Sequence, residues 1–390
     1  MKKAITVFLI LIIGCSASKE SEEYHPKEEL FPYHSSTVNV YSIERKFNEK
    51  IKESKIVRGQ SLLEKEAFRT TFQYSLVDSI PEPLASLEEI EIESSEAGRV
   101  FVLDVFQNEV FEYSLEEQEW QKIAGQGRGP GEIMFSKDLV YDNNKLYVTA
   151  SDTKISVFDC TFTPCEFEKV INTSEIFAYS SIIKDDTSII MGQYSKNSQM
   201  SSNIDEIQTL FKMDKNGNIS EPFGSFYDIR NQWMLIQPFQ SGKVRAVNDQ
   251  NDSFIQYYDL IPELYYFEKN KLKKKYQING FNISKRKYIP ETQELFINFE
   301  DWSFIDDMSY VNDNLQILVI KHLGNPRDTK SGFEWDESKD FYLLDTKANK
   351  STFLGQTFLN VEDLWFTSHN IIQKVNNKFF IYNYSIDNDM

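Results

Sequence analysis

The chain has few of the residues on which metal sites and nucleophilic active sites depend, with only three cysteines and four histidines in 390 residues. A zinc site built on Cys160 and Cys165 would need two further ligands, and so few histidines argue against one. Neither Gly-x-Ser-x-Gly nor His-Glu-x-x-His occurs, so the serine-hydrolase and metalloprotease templates find no support. We therefore expect no metal and no cofactor, and the sequence favours a protein that is not an enzyme.

An excess of positive charge is also lacking. The chain carries 42 basic and 60 acidic residues, which gives a formal net charge of -18 at pH 7. A chain of this charge repels phosphate backbones, so nucleic acid is not an expected partner. Aromatic residues, in contrast, make up 14% of the chain and include 30 Phe and 20 Tyr. This large supply of strand-forming core residues indicates a folded chain rather than a disordered one.

The apolar run at residues 4–13 is shorter than the roughly 20 residues that a membrane-spanning helix needs. It lies between Met-Lys-Lys and Gly14-Cys15, which is the order of a secretory signal. Ile-Ile-Gly-Cys at this point resembles the bacterial lipobox, which implies cleavage before Cys15 and a thioether-linked lipid on that cysteine. The expected organisation is a signal peptide at 1–14, a lipidated tether and N-terminal extension at 15–66, and one folded domain at 67–390.

The expected lipid anchor makes the membrane the first partner and places the chain in the cell envelope. Ser16, rather than Asp, follows the cysteine, which by analogy favours the outer membrane. Residues 43–66 are dense in Lys and Glu with scattered Ile and Leu. They are compatible with surface helices or with a loose segment, and the sequence does not choose between these.

Two segments further along repeat the same succession of short strands. The first has strands at residues 98–104, 110–113 and 120–123, and the second has strands at 144–149, 155–159 and 167–171. Leu146 lies 46 positions after Val100, close to the ~40–50 residues of a four-stranded propeller blade. The spacing therefore predicts one blade for each repeat.

Looser copies follow, and the copy at 315–345 is interrupted by a predicted loop at 324–339. No long helical pattern intervenes, and dividing residues 68–390 by ~50 residues per blade yields about six blades. We predict an all-β fold, a six-bladed β-propeller of four-stranded antiparallel blades. The N-terminal strand near Phe72 is expected to close the ring by completing the C-terminal blade, which removes exposed sheet edges.

Four alternating glycines at positions 125, 127, 129 and 131 link the first two repeats. A dinucleotide fingerprint needs glycine where Pro130 stands, and a Walker loop ends in Gly-Lys-Ser/Thr rather than Gly-Glu, so neither phosphate-binding motif fits. Residues 98–132 contain Gly-Arg-Val-Phe-Val-Leu-Asp, Asn-Glu-Val-Phe-Glu-Tyr-Ser and Ile-Ala-Gly-Gln-Gly-Arg-Gly-Pro-Gly-Glu. This stretch resembles the six-bladed β-propeller lipoproteins of Gram-negative bacteria, which are relatives of the NHL-repeat propellers.

In propellers of that kind, the link from the outermost strand of one blade to the innermost strand of the next crosses the face where the central channel opens. The resemblance therefore implies that Arg128 and Glu132 lie near the channel mouth, where they contact a ligand. The alternative is that Arg128 pairs with a neighbouring carboxylate and that the glycines only turn the chain.

Cys160 and Cys165 stand on either side of a four-residue interval that contains Pro164. An exported chain meets oxidising conditions, so a disulfide across this hairpin is the favoured state. Two buried free thiols are the alternative.

Two more candidate ligand-binding residues lie in the later repeats. Trp302 stands among four carboxylates within residues 300–307, and an aromatic face beside carboxylates suits a sugar ring or acid/base chemistry on a polysaccharide. His322 follows the strand at 315–320 and is a candidate acid or base in the channel, with a non-catalytic role as the alternative.

The favoured function is that of an outer-membrane lipoprotein, periplasmic or surface-exposed, that binds a ligand or acts as a scaffold. A glycan, a peptide or an envelope protein is the expected ligand, and no catalytic residue is predicted. The alternative is a lyase or hydrolase that acts on glycans or peptides in the channel. The ligand-binding candidates are Arg128, Glu132, Trp302 and His322.

Overall fold

A computed structural model shows a chain built almost entirely of β-strands. The described part of the chain has one α-helix and one 3-10 turn at Leu62–Glu64, and neither is long and apolar enough to cross a membrane. The structure describes residues 39–44, 61–83, 87, 90–150, 153–173, 176–184, 187–194, 209–214, 216–220, 223–224, 242–248, 252–259, 261–280, 285–289, 294–298, 302–329, 332–358, 363–375 and 377–386.

The strands form successive antiparallel sheets, which we number in chain order. Three N-terminal elements come first: β1 (Asn39–Glu44), α1 (Glu66–Thr71) and β2 (Phe72–Pro81). Sheet 1 contains β3 (Ile90–Ser94), β4 (Arg99–Asp104), β5 (Glu109–Ser114), β6 (Glu119–Gln126) and the short parallel β7 (Glu132–Ile133). Sheet 2 contains β8 (Ser136–Asp142), β9 (Lys145–Ala150), β10 (Lys154–Asp159) and β11 (Glu166–Asn172). Sheet 3 contains β12 (Ile176–Lys184), β13 (Thr187–Tyr194) and β14 (Leu210–Asp214).

The C-terminal half continues the same pattern. Sheet 4 contains β15 (Gly242–Asn248), β16 (Ser253–Tyr258), β17 (Glu263–Glu268) and β18 (Lys271–Asn279), and it is followed by the hairpin of β19 (Lys285–Ile289) and β20 (Glu294–Asn298). Sheet 5 contains β21 (Trp302–Asn312), β22 (Leu315–Thr329), β23 (Gly332–Asp345) and β24 (Lys350–Phe358). Sheet 6 contains β25 (Asp363–Phe366), β26 (Asn370–Val375) and β27 (Lys378–Ile386).

The sheets are arranged as a propeller, because the first strand of each sheet contacts the first strand of the next. In chain order, β3 contacts β8, β8 contacts β12, β12 contacts β15, β15 contacts β21, and β21 contacts β25. Ser94 at the end of β3 and Thr367 after β25 join the two ends of the series through a 2.5 Å hydrogen bond between their hydroxyl oxygens. The first strands therefore surround a central channel, and the later strands lie progressively further out.

The second and third strands of sheets 1, 2 and 4 are buried on both faces because each sheet packs between two others, whereas the outer strands β6 and β11 are mostly half-buried or exposed. All six residues of β4, Arg-Val-Phe-Val-Leu-Asp, are buried, so buried and exposed residues do not alternate along this strand. Tight turns join the strands, and Asn143 and Asn144 adopt φ of 48° and 58° between β8 and β9. Asn tolerates the left-handed conformation that a two-residue hairpin needs.

Five sheets have four or more strands, whereas six four-stranded blades were predicted. The difference lies in sheet 3, which has three strands in the described residues, followed by isolated bridges from Leu210 to Phe223 and from Met213 to Ile219. The sequence repeat there is diluted by the polar segment after Tyr194, most of which lies outside the described residues. The expectation of six complete blades is therefore wrong in its count.

Ring closure by the N-terminal strand is confirmed. Strand β2 pairs antiparallel with β27 over its whole length, from Phe72 opposite Ile386 to Pro81 opposite Lys378. Because β2 lies next to β27, it forms the outer edge of sheet 6. The sheet thus takes one strand from the start of the chain and three from its end.

The N-terminal extension packs on the propeller at two places that the sequence did not indicate. Strand β1 pairs in parallel with β18, so sheet 4 has five strands and buries Ile43. Leu62 and Leu63 of the 3-10 turn are buried in the same apolar cluster as Phe68 and Phe72. Residues 39–44 and 61–66 of the N-terminal extension therefore pack on the sheets of the propeller.

The predicted loop at 324–339 is wrong. Strands β22 and β23 continue through this region and pair as far as Thr329 opposite Gly332, with a register shift between Leu323 and Pro326. The glycine, proline and charged residues of this segment suggested a loop, but they lie in a long hairpin that extends beyond the rest of sheet 5.

Candidate functional site

A cavity of about 650 Å³ occupies the central channel. Its wall is formed by the first strands of several sheets, and its rim by the turns that follow three of them, at Glu96, Asn143 and Ser368. Each of these turns joins a first strand to the second strand of the same sheet. The cavity therefore opens at the end of the channel where the first strands finish, opposite the end where the links between sheets enter.

Arg245 of β15 is the centre of a charge network in this channel. Its Nη1 donates to Asp138 Oδ2 at 3.2 Å, and its Nη2 lies 3.6 Å from Asp307 Oδ1 and 3.8 Å from Glu91 Oε2. Its Nε donates to the carbonyl oxygen of Met308 at 3.0 Å. One guanidinium thus bridges carboxylates of sheets 1, 2 and 5, and its planar set of five donors suits that geometry.

A second cation reinforces the network. Lys243 donates from Nζ to Glu91 Oε1 at 2.6 Å, and although burial opposes its charge, Glu91 holds the pKa of Lys243 well above its ordinary value. Burial also opposes ionisation of Asp307, but Lys243, Arg245 and the 2.7 Å hydrogen bond from Ser309 outweigh it, so the pKa of Asp307 lies below its ordinary value. These groups are therefore charged at neutral pH.

Burial raises the pKa of both carboxyls on β3, but Glu91 has Lys243 as an ion-pair partner and Glu93 has none in the described part of the chain. The pKa of Glu93 rises from 4.5 to about 8, because the attraction of Arg245 does not compensate for desolvation and for repulsion by Asp138, Asp307 and Glu91. Within the described residues the carboxyl group of Glu93 makes no hydrogen bond or ion pair. It is therefore largely protonated at pH 7. The ion-paired Glu91 lies two residues before it on β3.

Ser181 of β12 also presents an unused polar group to the cavity. Its side chain is 2% exposed, and its Oγ has no hydrogen-bond partner among the described residues, although its backbone N–H donates to Asp138 Oδ2 at 3.3 Å. A buried hydroxyl without a partner costs free energy. A group that entered the cavity and bonded to Ser181 would recover this cost.

The rim of the cavity is aromatic and acidic. Tyr141, Tyr310 and Trp365 line it together with Glu96 and His369. Burial lowers the pKa of His369, and the opposing attraction of Glu96 is weaker, so this imidazole is neutral at pH 7. The ring of Trp365 packs edge-on against Phe379 of sheet 6 at a centroid distance of 6.3 Å. Aromatic side chains thus stand at the entrance to a charged interior.

Arg128 and Glu132 lie at the other end of the channel, in the link from β6 to β8, and neither lines the cavity. The Glu132 carboxylate accepts a hydrogen bond from the backbone N–H of Gly129 at 2.6 Å. A side chain at Gly127 would place its Cβ 2.0 Å from Glu132 Oε2, so the glycine there makes room for this carboxylate. Arg128 is exposed, and its Nε donates to Met134 Sδ at 3.4 Å.

His322 and Trp302 also lie away from the cavity lining. His322 is buried in β22, where its Nδ1 lies 3.1 Å from Ser303 Oγ at the start of β21. Trp302 is the first residue of β21, and its side chain falls outside the described structure. Of the carboxylates predicted around Trp302, Asp307 enters the channel network, and Asp306 pairs with Lys339 Nζ at 2.8 Å. A ligand-binding role for Trp302 or His322 stays a prediction.

Cys160 and Cys165 form a disulfide between β10 and β11. A buried ion pair from the neighbouring sheet fastens this hairpin, since Arg99 Nη2 lies 2.6 Å from Glu112 Oε1 and donates to the carbonyl oxygen of Phe162 at 2.9 Å. Glu112 Oε2 in turn accepts from the Cys165 backbone N–H at 2.8 Å. The disulfide therefore has a structural position between sheets 1 and 2, outside the cavity lining.

Most of the charged residues in the channel were not predicted. Glu91, Glu93 and Asp138 lie on first strands and were not singled out from the sequence, whereas Asp307 was named only as one of the carboxylates around Trp302. A signal was present at residues 90–94, where Ile-Glu-Ile-Glu-Ser alternates with the period of two expected of a strand with one polar face.

Similarity to known proteins is confined to the fold. No protein-family model matches the sequence, and no curated protein is similar to it in sequence. A member of the DUF4221 family from Bacteroides vulgatus superposes with a TM-score of 0.50 at 9% identity, over 82% of this chain and 99% of that one. A Bacteroides fragilis protein described as exported reaches the same TM-score at 10% identity, over 90% of this chain and 100% of that one. The WD40 propeller domain of Doa1 has a TM-score of 0.44 at 11% identity, covering 80% and 97% of the two chains.

Proposed function

We propose that this protein is a cell-envelope propeller that binds a small polar ligand in its central channel. The observation that carries this proposal is the 650 Å³ cavity, whose interior holds polar groups without partners, Glu93 and the Ser181 hydroxyl. A preformed concave pocket with a few converging polar groups is the usual form of a small-molecule site. Arg245 and its carboxylates hold the first strands of different sheets together, so the pocket is rigid before a ligand arrives.

The proposal includes attachment to a membrane through a lipid on Cys15, with a glycan, a peptide or an envelope protein as the source of the ligand. A location outside the cytoplasm is supported by the order of the N-terminal residues and by the fold that the chain shares with the exported B. fragilis protein. Replacement of Cys15 by Ser is expected to move the protein from the detergent-rich to the aqueous phase on phase separation. An unchanged partition would contradict the anchor and leave the channel site unaffected.

One observation favours an enzyme as the second candidate function. Glu93 and Asp307 line one cavity, and their surroundings shift their pKa values in opposite directions. Such a pair supplies a protonated acid and an ionised base at neutral pH, which is the requirement for acid/base cleavage of a glycosidic or similar bond. This reading assigns the acid to Glu93 and the base to Asp307.

A ligand screen on the full chain tests the binding proposal. Melting temperatures would be measured with panels of oligosaccharides and short peptides, since a ligand that binds the folded state raises the melting temperature. Ser368→Trp places a large side chain at the exposed rim and should abolish the shift of any true channel ligand. Ser75→Trp, on the exposed side of β2, is the matched control.

The outcomes of this screen separate the candidates. Shifts that survive Ser368→Trp would locate binding elsewhere and overturn the channel site. Product analysis by mass spectrometry on each stabilising ligand distinguishes the two functions, because only an enzyme consumes its ligand. Turnover that is lost in both Glu93→Gln and Asp307→Asn would establish the enzyme over the binding module.

A further inference from the structure

We infer that the channel cavity recognises a small hydroxylated organic cation, with its amine held among the channel carboxylates and the aromatic rim. This inference rests on the proposed function, because it names the ligand class of the same site. It depends on three independent features of the cavity: the charge of its lining, its unpartnered polar groups and the rings at its entrance.

The lining of the cavity is strongly biased to one sign of charge. Among the residues that form it, Arg245 is the single Lys or Arg, and five residues carry carboxyl groups: Glu91, Glu93, Glu96, Asp142 and Asp307. Arg245 does not offer its charge to a ligand, because its guanidinium already faces carboxylates of three sheets. An anion would meet the carboxyl groups of Glu96 and Asp142 on entry, whereas a cation is attracted to them.

Two polar groups in the cavity lack partners that a hydroxylated amine supplies. Ser181 Oγ is buried without a hydrogen bond among the described residues, and Glu93 has neither a hydrogen bond nor an ion pair there. A hydroxyl group can donate and accept, so it satisfies a serine hydroxyl in either direction. A cationic nitrogen beside Glu93 would stabilise its ionised carboxylate, which has no ion-pair partner in the channel network.

The rim supplies the third feature. Tyr141, Tyr310 and Trp365 line the same cavity, and the faces of such rings attract organic cations. No lysine or arginine lines the rim in the described residues, although the Tyr141 ring stacks on Phe101 and lies near Arg99 of sheet 1. A quaternary or primary amine thus finds aromatic contacts at the entrance and carboxylates deeper in the channel.

Binding of a cation should be coupled to the ionisation of Glu93. The charged groups that face Glu93 are Arg245, Asp138, Asp307 and Glu91, and burial and repulsion leave its pKa near 8. A bound cation stabilises the ionised carboxylate, so binding releases a proton and strengthens as the pH rises towards 8. His369 at the rim has a lowered pKa and stays neutral over this range.

Choline and 3,3-dimethyl-1-butanol provide a matched pair of probes, because they have nearly the same shape and only choline carries a charge. Titration calorimetry on the full chain should show choline, or its primary-amine analogue ethanolamine, binding at least about tenfold more tightly than the alcohol. Between pH 6.5 and 8.5 the affinity for choline should rise on the order of tenfold, with a proton release that makes the heat depend on the buffer. Choline does not titrate, so this dependence reports on the protein.

Glu93→Gln should weaken choline binding by about tenfold and abolish its pH dependence, whereas Glu119→Gln, at an exposed carboxylate on the outer strand of the same sheet, should change neither. If Glu93→Gln fails to fold, the affinity ratio of the two probes in the unaltered chain remains decisive. Equal binding of choline and the alcohol, or no binding of either amine, overturns the inference. Stabilisation by neutral glycans or peptides that Ser368→Trp abolishes would then still uphold the proposed function.

Discussion

At the scale of single residues, the burial of Glu93 in the channel makes the free energy of unfolding depend on pH. Its pKa is about 8 in the folded protein and 4.5 as its ordinary value. Between these two pH values the folded protein holds a proton that the unfolded chain has lost, so the free energy of unfolding falls as the pH rises. Each unit of pKa difference corresponds to about 1.4 kcal/mol, and solvent screening reduces the effect to roughly 1–3 kcal/mol.

We predict that Glu93→Gln removes this pH-dependent loss. Relative to the unaltered chain, the variant should gain about 1–3 kcal/mol of stability between pH 5 and pH 8, measured by urea denaturation at each pH. Glu119→Gln, an exposed carboxylate, serves as the control and should run parallel to the unaltered chain. A constant difference between Glu93→Gln and the unaltered chain over this range would show that Glu93 is ionised throughout.

The pair of Arg99 and Glu112 illustrates a buried charge with a structural role. Glu112 is 1% exposed and neutralises Arg99, whose guanidinium reaches across to the disulfide hairpin of sheet 2. Glu112→Gln leaves Arg99 buried without its counter-ion, and we predict a loss of about 3–5 kcal/mol in unfolding free energy. Glu109 lies on the same strand as Glu112 and pairs with Lys122 at the surface. Glu109→Gln breaks this pair and should cost less than about 1 kcal/mol. Equal effects of the two changes would contradict the assigned role.

Residue roles were the least predictable level. Glu132 was placed at the mouth through a family resemblance, but its carboxylate lies within its own loop, and Gly127 and Gly129 are glycines to accommodate it. The channel residues, in contrast, have roles that depend on partners more than 40 positions away, such as Asp138 with Arg245. A single sequence shows neither this distance relation nor the direction in which each side chain points.

At the scale of elements, β2 carries apolar residues that fix the outer edge of sheet 6. The Phe72 ring is 1% exposed and stacks on Phe68 at a centroid distance of 4.8 Å. We predict that Phe72→Ala destabilises the protein by about 3–5 kcal/mol, because it leaves a cavity in a closely packed aromatic cluster. Leu76→Ala on the same strand, at a side chain 56% exposed, should change stability by less than about 0.5 kcal/mol. Thermal or urea denaturation measures both, and a small effect at Phe72 would show that β2 is not needed for the core.

Strands with a strong apolar pattern were predictable, and strands with a charged face were not. The strand predicted at residues 155–159 corresponds to β10, Lys154–Asp159, because its apolar side chains are buried between neighbouring sheets. Strand β3 was missed, since Glu91 and Glu93 alternate with its isoleucines. The hairpin of β22 and β23 was read as a loop because proline, glycine and charge outweighed the alternation there. Burial thus gives a clear sequence signal, whereas exposure to an internal channel resembles exposure to bulk water.

At the scale of the whole molecule, the repeat spacing predicted the arrangement and the chain ends predicted its closure. Sheets 1 and 2 begin 46 residues apart, at Ile90 and Ser136, and pack side by side, as the two strong N-terminal repeats indicated. The count differed because sheet 3 has three strands in the described residues. The position of the cavity mouth was the harder question, since it depends on which end of the first strands is wider, and that follows from side-chain packing around the whole ring.

Closure leads to a prediction about the intact molecule. Without β2, strand β27 would expose the backbone groups of Lys378–Ile386 as a free edge, and such edges pair with other chains. We predict that a chain lacking residues 1–81 is aggregated or oligomeric in size-exclusion chromatography with light scattering. A chain lacking residues 1–38 keeps β1, α1 and β2, so ring closure is intact and we expect no aggregation.

A deletion of intermediate length separates the effect of losing β1 from that of losing β2. A chain that lacks residues 1–60 loses β1 but keeps α1 and β2, so ring closure is intact. Because β1 contributes a parallel edge strand and the buried Ile43 to sheet 4, its loss should lower the melting temperature without creating oligomers. If the chain lacking 1–81 were instead monomeric and as stable as the chain lacking 1–60, three C-terminal strands would suffice for sheet 6. The pairing of the two chain ends would then be a feature of the fold that its stability does not require.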